Sequence, residues 1–294
     1  MDRLSRTPGV RRSVDAAIVV LLSGCFVAAQ TPVAAPSNKY SPAQDVKLGR
    51  QAAAEAERQL PLLHDDQLTS YVAGLGHRLT GGIPGQLRHP EFRYSFKVVN
   101  AREINAFALP GGPTYVNRGM IEAARTEGEV AGVMAHELSH VALRHGTAQA
   151  SKATKYEIGA LAGQVLGALI GGNVGTAVAE GSRFGLGAAF LRFGREYERQ
   201  ADMEGAQIMA RAGYDPREMA NMFRTIEQRS GAGGPEWLSD HPNPGNRIEY
   251  ISREARALRV QNPIRDSGAF QQVQARLRHM PPAPATPSRS SQQH

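Results

Sequence analysis

The sequence predicts a mainly helical α+β fold in which a small β-sheet lies beside a central apolar helix. Three observations indicate this class. Helix signals fill the chain from residue 41 to about residue 80, strand signals occupy 92–117, and helix signals return from residue 126 onward. The 294 residues suffice for one large domain or two small ones, and the sequence has no repeat of solenoid period.

The first half of the predicted domain contains two helices and three strands. Ser41 and Pro42 form an N-cap followed by proline at the first helical position, so a helix begins there and extends to about residue 60. The stretch "FRYSFKVVN" alternates apolar and polar residues, which is typical of a strand with one buried face. The other predicted elements are a helix at about 66–79, ending at Gly81-Gly82, and two short strands around the Pro-Gly-Gly turn of "NAFALPGGPTYVN" (105–117).

The second half is predicted to be helical. Thr126 and Glu129 match a capping box, so a helix is expected from about residue 127 to 145, with Gly146 as its C-terminal stop. Further helices are expected at about 195–212, from Asp215-Pro216 onward, and after the proline-rich loop that starts at His241.

The N-terminus has the features of a secretory signal. Four arginines precede an apolar run from Ala16 to Leu22, which is too short to span a bilayer as a helix. Cys25, the only cysteine, directly follows Leu-Ser-Gly and so resembles the lipobox of bacterial lipoproteins. We therefore expect a signal peptide at 1–24 and a lipid on Cys25 that attaches the protein to a membrane. The alternative is ordinary cleavage after Ala29, which would give a soluble periplasmic or secreted protein.

Composition predicts the domain boundaries. Residues 25–40 are expected to be a lipidated N-terminus and flexible tether, because they are rich in Ala, Pro, Gln and Ser. The folded domain is expected at 41–260, and 261–294 is expected to be a short C-terminal extension that is disordered from about residue 281. Phe26, rather than aspartate, follows the cysteine, which favours the outer membrane over the inner membrane.

The net charge of +7 does not indicate a nucleic-acid-binding protein. The arginines are scattered along the chain, and the sequence has neither zinc-finger cysteine pairs nor an RNA-binding signature. We expect an ordinary basic surface and no nucleic-acid partner.

The stretch "GVMAHELSHVALRHG" (132–146) contains the strongest chemical signal. His136 and His140 are four residues apart on a predicted helix, so both imidazoles lie on one face and can share a metal ion. Glu137 is adjacent and suits a general base that takes a proton from a metal-activated water. His-Glu-x-x-His on an apolar helix therefore predicts a catalytic zinc site. The alternative is a pair of core histidines with ordinary hydrogen-bond partners.

A catalytic zinc of this kind needs a third protein ligand. The metzincin pattern fails because Leu143 and Gly146 occupy the positions where it needs glycine and histidine. A carboxylate remains, and Glu157 is a weaker candidate than Glu198 in "REYERQAD". Asp202 lies one helical turn after Glu198 and can hold a ligand histidine by its free ring N–H. Spacing alone leaves a solvated acidic face as the alternative.

Four stretches together resemble one enzyme family. They are "NAFALPGG" (105–112), "HELSHVALRHG" (136–146), "REYERQAD" (195–202) and "SDHPNPGNRI" (239–248). In this order they resemble the HtpX-type gluzincin metallopeptidases, relatives of the CAAX prenyl proteases, in the soluble periplasmic BepA- and LoiP-like branch. The resemblance implies a zincin-like metalloprotease domain that binds one zinc ion per chain.

The resemblance also implies roles for individual residues. His136, His140 and Glu198 correspond to the zinc ligands, and Glu137 corresponds to the catalytic base. Asp202 matches the family's aspartate one turn after the glutamate ligand. His241 matches the histidine of the family's His-Pro loop, which implies that it either stabilises the oxyanion or blocks the water site in a resting state.

"NAFALPGG" is expected to supply the edge strand on which an extended peptide substrate pairs through backbone hydrogen bonds. Asn105 and Phe107 would then be wall residues of the substrate cleft. A plain hairpin in the sheet is the alternative interpretation, and the two are compatible.

Residues 157–190 form a glycine-rich insert in the predicted domain. No charged residue occurs between Glu157 and Glu180, and glycine recurs every fourth residue from Gly159 to Gly175, a pattern that allows close helix contact. We expect a helical hairpin that acts as a lid or touches the membrane surface or a partner. A transmembrane span is the less favoured alternative.

These features predict a zinc endopeptidase of the bacterial cell envelope, on the periplasmic side, that cleaves misfolded or unassembled envelope proteins. The alternative is a non-proteolytic envelope chaperone or assembly factor with a structural zinc, for which His241 would be a fourth ligand. Glu137 favours the enzyme, since a structural zinc needs no glutamate beside its first histidine. An intramembrane protease is the weakest alternative, because the sequence lacks the spans that it would need.

Overall fold

The computed structural model describes residues 30–152, 193–229, 237, 241 and 245–284. The predicted signal peptide, Cys25, the insert at 157–190 and the last ten residues lie outside this part of the chain. Within the described ranges, no helix has both the length and the apolar character needed to cross a membrane.

The described residues confirm the predicted α+β class: helices surround one small sheet. The strands are β1 (Ser95–Val99), β2 (Ala106–Ala108) and β3 (Pro113–Asn117). The helices are α1 (Pro42–Gln59), α2 (Asp66–Gly81), α3 (Arg118–Ala123), α4 (Glu127–Ala142), α5 (His145–Lys152), α6 (Arg195–Arg211), α7 (Arg217–Gln228), α8 (Arg247–Ala257) and α9 (Gly268–His279). A short 3₁₀ turn lies at Gly85–Leu87.

Polar caps begin the N-terminal helices as the sequence indicates. Ser41 caps α1 in a complete capping box with Gln44. Thr126 caps α4, since its hydroxyl accepts a hydrogen bond from the Glu129 N–H at 3.2 Å. The second half of the predicted α4 box is different, because the Glu129 carboxylate accepts from the backbone N–H of Arg125 at 2.7 Å. The Glu129 carboxylate and the Thr126 hydroxyl therefore both hold backbone N–H groups at the start of α4.

The sheet has the strand order β1-β3-β2. β1 runs parallel to β3, whereas β2 and β3 are antiparallel and form the predicted hairpin. Gly111 and Gly112 adopt positive φ angles of 79° and 123° in the Pro-Gly-Gly turn, where residues with side chains would be strained. Among the described strands β2 has one neighbour only, so it is an edge strand of this sheet.

Helix α4 is the centre of the fold, and every one of its residues is buried. It packs against α6, α7, α2 and the sheet. Two glycines allow the closest contacts: a Cβ on Gly132 would lie 2.6 Å from Cα of Met219, and one on Gly205 would lie 3.1 Å from the backbone N of His136. The helix that carries His-Glu-x-x-His is therefore held tightly between α6 and α7.

The predicted end of this helix is wrong. α4 ends at Ala142, and α5 begins at His145, so Gly146 lies in the first turn of a new helix and is not a stop. Arg144 makes the break with a φ angle of +58°, a left-handed conformation that costs energy for a residue with a side chain. Its guanidinium donates to buried Asp45 at 2.6 Å and to the Tyr40 carbonyl, and these contacts stabilise the turn that glycine was expected to make.

The segment before α1 is not a flexible tether from residue 30 onward. Thr31 donates its hydroxyl to Glu254 at 2.6 Å, and its carbonyl accepts from Gln207 at 2.7 Å. Further along, Asn38 donates to the Thr147 hydroxyl at 2.7 Å. Composition predicts a tether because the segment is rich in Ala, Pro, Gln and Ser, but its polar groups find partners on α5, α6 and α8.

The main core also continues past residue 260. Phe270, Val273 and Leu277 on α9 are buried in the same apolar cluster as α2 and α4. Beyond α9, the Pro281 carbonyl accepts from buried Arg118 at 2.7 Å. The described part of the predicted C-terminal extension is thus integral to the folded domain.

Candidate metal centre

Four buried side chains converge where α4, α6 and the loop before α8 meet. One ligand atom from each of His136, His140, Glu198 and His241 lies within 4.8 Å of the other three, an arrangement that could hold a metal ion. The spacing of His-Glu-x-x-His places the first two on one face of α4, and α6 brings Glu198 to that face. The structure therefore brings together the pair and the carboxylate that the sequence predicted.

The separations within the cluster fit one zinc ion. The Nε2 atoms of His136 and His140 lie 3.0 Å apart, and each lies 3.4 Å from a carboxylate oxygen of Glu198. Tetrahedral zinc with bonds of about 2.1 Å places neighbouring ligand atoms about 3.4 Å apart.

The arrangement of the donors also suits a cation. His136 Nδ1 lies 2.9 Å from Asp202 and donates its proton there, which directs Nε2 at the cluster. That Nε2 atom lies 3.0 Å from Nε2 of His140 and 3.2 Å from Nδ1 of His241. Ring nitrogens buried this close together repel unless a proton or a metal ion lies between them, so the residues present fit a metal.

A charged network supports His136 and Glu198. Arg247 donates from Nε to Asp202 at 2.8 Å and from Nη2 to Glu198 at 2.9 Å. Tyr250 donates its hydroxyl to the same Asp202 carboxylate. Asp202 thus connects a candidate ligand to a buried cation, which is how supporting residues usually fix the orientation of a metal-bound histidine.

Neutral side chains contact the Nδ1 atom and the ring face of His140. Its Nδ1 lies 3.0 Å from Nδ1 of His145, and its ring stacks on Phe193 with centroids 3.9 Å apart. Beyond it, Nε2 of His145 lies 3.0 Å from Oε1 of Gln200. Among the described residues, no carboxylate equivalent to Asp202 lies against Nδ1 of His140.

Glu137 points into the cluster from beside the first histidine. Its Oε1 accepts a hydrogen bond from the Trp237 indole at 3.3 Å and lies 3.4 Å from Nε2 of His241. Trp237 also stacks on the His241 ring, with centroids 4.7 Å apart. His241 therefore lies between the candidate base and the candidate ligands.

Burial and neighbouring charges shift the pKa values of His136, His140 and Glu198. Burial lowers the pKa of His136, but hydrogen bonds to Asp202 and Glu198 outweigh burial and raise it to about 9. Burial lowers the pKa of His140 well below its usual value. Burial would raise the pKa of Glu198, yet the adjacent histidines bring it well below the usual range. The positive partners thus keep Glu198 ionised.

Burial has the opposite outcome at Glu137. Loss of solvent raises the pKa of this carboxyl, and the neighbouring His241 and His136 only partly offset that effect. The pKa of His241 is raised because Glu137 and Glu198 together outweigh burial. Burial lowers the pKa of His145 to about 3, so this ring is neutral.

The predicted substrate-wall residues lie outside the cluster. Phe107 stacks on Tyr115 with centroids 4.9 Å apart and belongs to an apolar cluster with α1. Asn105 is buried, and its side-chain oxygen has no hydrogen-bond partner among the described residues. Glu157, the second candidate for the carboxylate ligand, falls in the part of the chain that is not described.

A small cavity lies between the edge strand and the cluster. It has a volume of about 10 Å³ and is lined by the end of β2 and the following turn on one side and by His140 and Phe193 on the other. The end of β2 therefore lies close to one of the candidate ligands.

Sequence reasoning missed four residues of this site. Arg247 and Tyr250 come from α8, and Trp237, the only tryptophan, comes from the segment between α7 and α8, so their contacts with the cluster are long-range and have no spacing signal. His145 was visible in the motif as a third histidine, but a continuous helix would have pointed it away from His140.

Comparisons with known proteins agree with this geometry. The profile of Peptidase family M48 matches residues 68–255, more than half of the chain. The "Beta-barrel assembly-enhancing protease" of Escherichia coli K12 is 31% identical over 222 residues, which cover 74% of this chain and 45% of that protein. A "Putative beta-barrel assembly-enhancing protease" of Vibrio cholerae is 32% identical over 201 residues, covering 67% of this chain and 41% of that protein.

A eukaryotic relative is also similar. The "Mitochondrial metalloendopeptidase OMA1" of Saccharomyces cerevisiae is 34% identical over 159 residues, which cover 51% of this chain and 43% of that protein. The chain spans less than half the length of these curated relatives. The family profile and the His-Glu-x-x-His cluster confirm the resemblance found in the sequence motifs, and the chain belongs to Peptidase family M48.

Proposed function

We propose that the chain is a zinc-dependent endopeptidase of the bacterial cell envelope that hydrolyses misfolded or unassembled proteins. The single observation that carries the proposal is the position of Glu137, a buried carboxylate beside a cluster of histidine and glutamate ligand atoms. Family M48 is zinc-dependent, and a His-His-Glu donor set suits zinc.

His136, His140 and Glu198 would hold the zinc ion. When bound, zinc would lower the pKa of a water molecule, so that it loses a proton and becomes a nucleophile for a peptide carbonyl at neutral pH, and zinc would also polarise that carbonyl. The Asp202–Arg247 network keeps His136 in the tautomer that offers Nε2, and it keeps Glu198 ionised.

Glu137 would act as the general base. Its carboxylate takes the proton of the attacking water and delivers it to the leaving amine. Burial raises its pKa, which brings this carboxyl closer to the working pH and makes it a better proton acceptor. Trp237 holds the carboxylate by one hydrogen bond and leaves its other oxygen available.

His241 would restrain the site in this state. Its Nδ1 lies 3.1 Å from Oε1 of Glu198 and 3.2 Å from Nε2 of His136. In this position it is the fourth member of the donor set. A catalytic zinc keeps one position open. We infer that His241 must move from this position before water and substrate enter, and that it can then face the reacting carbonyl.

The substrate would bind as an added strand on β2. β2 is an edge strand of the described sheet, and its end and His140 line the same small cavity. Backbone pairing of this kind ignores side-chain sequence, which suits a protease that acts on unfolded chains. Phe107 in β2 and Asn105 directly before it are buried, and they would form part of the wall that supports the paired substrate.

The cellular context is inferred from the relatives and from the N-terminus. Two relatives are named for enhancing β-barrel assembly, which supports substrates among envelope proteins. The signal at 1–24 and the lipobox at Cys25 support a lipid anchor facing the periplasm, with the outer membrane favoured.

One observation favours a second candidate function. With His241 in place the donor set has four protein members, as in a structural zinc site, so a non-proteolytic assembly factor would also fit. Glu137 has no purpose in that function, which is why the peptidase is preferred.

Casein hydrolysis and zinc content, measured on the same purified samples, test the proposal. Wild type should bind about one zinc ion, as a single site requires, and should cleave casein. Glu137→Gln should keep its zinc and lose cleavage, since the amide cannot accept the proton. His241→Ala should cleave faster if the histidine restrains the site. Zinc binding by all three without cleavage of any unfolded protein would favour the assembly factor.

A further inference from the structure

We propose that His145 is a positioning residue for the metal centre: its ring accepts the Nδ1–H of His140 and fixes the rotation and tautomer of that ligand. This role rests on the zinc site of the proposed function, and it is independent of whether the chain cleaves peptides. The role is inferred from the positions of the protons on the two adjacent buried rings of His140 and His145.

Only one arrangement of protons satisfies both rings. His140 Nε2 faces the cluster, 3.0 Å from Nε2 of His136, and needs a free lone pair to bind a metal. The proton of His140 is then on Nδ1, which lies 3.0 Å from Nδ1 of His145. His145 accepts there and carries its own proton on Nε2, 3.0 Å from the Gln200 amide oxygen. That oxygen can only accept, so the chain of donors has a fixed direction.

The His145 ring cannot easily turn away from this arrangement. It is fully buried, and it stacks on the Tyr197 ring with centroids 4.5 Å apart and planes 4° apart. Stacking fixes the plane of the ring, while His140 and Gln200 fix the positions of its two nitrogens. A rigid acceptor of this kind holds a ligand within the narrow limits that metal binding requires.

The backbone break at Arg144 is what brings His145 to this position. Five residues along a continuous helix, its side chain would lie about 140° around the axis from His140. The left-handed turn at Arg144 redirects the chain, so that the first residue of α5 faces back toward the cluster. Buried Asp45 stabilises this costly conformation through its contact with Arg144, which is consistent with a strained turn retained for the site.

A neutral acceptor suits this side of the cluster. Asp202, Glu198 and Glu137 already place three carboxyl groups around the metal position, with Arg247 as the buried cation that pairs with two of them. Among the described residues no buried cation lies next to His140, so a fourth carboxylate there would be buried without a buried partner, which is costly. Histidine supplies the hydrogen bond without the charge.

Zinc affinity of two full-length variants separates this role from simple packing. His145→Phe keeps a flat ring and removes the acceptor, whereas His145→Asn removes the ring and keeps an oxygen near the Nδ1 position. Both lose the contact with Gln200, and only the Asn variant also loses the stack on Tyr197, so tighter binding in the Asn variant can come only from the bond to His140. We expect His145→Phe to weaken zinc binding by about 10- to 100-fold, as loss of such partners does elsewhere, and His145→Asn to recover most of that loss. If His145→Phe does not fold without metal, as judged by circular dichroism, His145→Ala takes its place.

Each outcome of this zinc titration decides one of the proposals. Wild-type affinity in His145→Phe, or weaker binding in the Asn variant than in the Phe variant, would make His145 a packing residue and overturn the role. A wild-type chain without zinc would overturn the metal site and the role with it. A wild type that binds zinc but does not cleave casein would remove the peptidase function only, and the variant affinities would still decide on His145.

Discussion

The two candidate ligand histidines of α4 are held by opposite kinds of chemistry. His136 donates to Asp202, which is paired with Arg247 and Tyr250 from α8, so its support is ionic and reaches across the fold. His140 faces His145, which is only five residues further along the chain and neutral. The comparison shows that one metal centre can be fixed by a long-range charged network on one side and by a local backbone turn on the other.

The two sides also differ in what they contribute to folding. Buried charges cost several kcal/mol each to remove from water, and they are stable only while every partner is present. We therefore expect the Asp202–Arg247 network to contribute to the stability of the whole domain through α8. His145 is expected to affect mainly the affinity for the metal ion. Variants on the two sides should separate these effects.

The largest effect is expected from breaking the charged side. Arg247→Leu leaves Glu198 and Asp202 buried without their cation, and loss of one partner from a buried pair costs about 3–5 kcal/mol. Urea unfolding of the metal-free protein measures this loss. Arg253→Leu is the matched control on the same helix, because its exposed pair with Glu249 should contribute less than about 1 kcal/mol. Equal stability of the two variants would show that the network does not support the fold.

A second buried carboxylate on α6 sharpens the contrast, since it lacks such a network. Burial raises the pKa of Glu204 to about 7 from 4.5, and Arg211 at 3.3 Å only partly offsets the burial. Because the folded-state pKa is raised, the penalty is absent below pH 4.5, grows as the pH rises and is complete above pH 7. Glu204→Gln should therefore stabilise the protein by up to roughly 3 kcal/mol at pH 8.

The pH dependence is the decisive part of the Glu204 experiment. Urea unfolding at several pH values should show the gain of Glu204→Gln shrinking as the pH falls toward 4.5. A gain that is constant with pH would mean that packing, not ionisation, separates the two proteins.

A smaller effect is expected when only the charge on Asp202 is removed. Asp202→Asn can keep the hydrogen bond to His136 Nδ1, but the weaker acceptor should reduce zinc affinity by about 10- to 100-fold. It should also destabilise the metal-free protein, because Arg247 loses a buried partner. His145→Phe should weaken zinc binding with less change in the metal-free stability. Equal changes in both properties for the two variants would contradict the distinction between the sides.

The sequence predicts the local parts of this site and misses the long-range ones. His136, Glu137 and His140 follow from spacing on one helix, and Glu198 with Asp202 follows from spacing on another. Arg247 and Trp237 come from segments whose position depends on the whole packing, so no local pattern indicates them.

The break after α4 shows a different limit. Helix-stop rules favour glycine, and Gly146 is available, yet the chain turns at Arg144 because Asp45, about a hundred residues earlier, supplies a partner for its side chain. The segment before α1 shows the same limit. Its composition is typical of a tether, yet Thr31 forms hydrogen bonds with Glu254 and Gln207 on distant helices. Local propensity is overridden wherever a tertiary contact compensates for it.

Anomalous diffraction from crystals of the zinc-loaded chain, recorded on both sides of the zinc absorption edge, tests the central claim most directly. We expect one strong peak bonded by Nε2 of His136, Nε2 of His140 and the Glu198 carboxylate, with His145 donating no ligand and lying against Nδ1 of His140. A peak held by other residues, or no peak at this cluster in crystals that contain zinc, would contradict it.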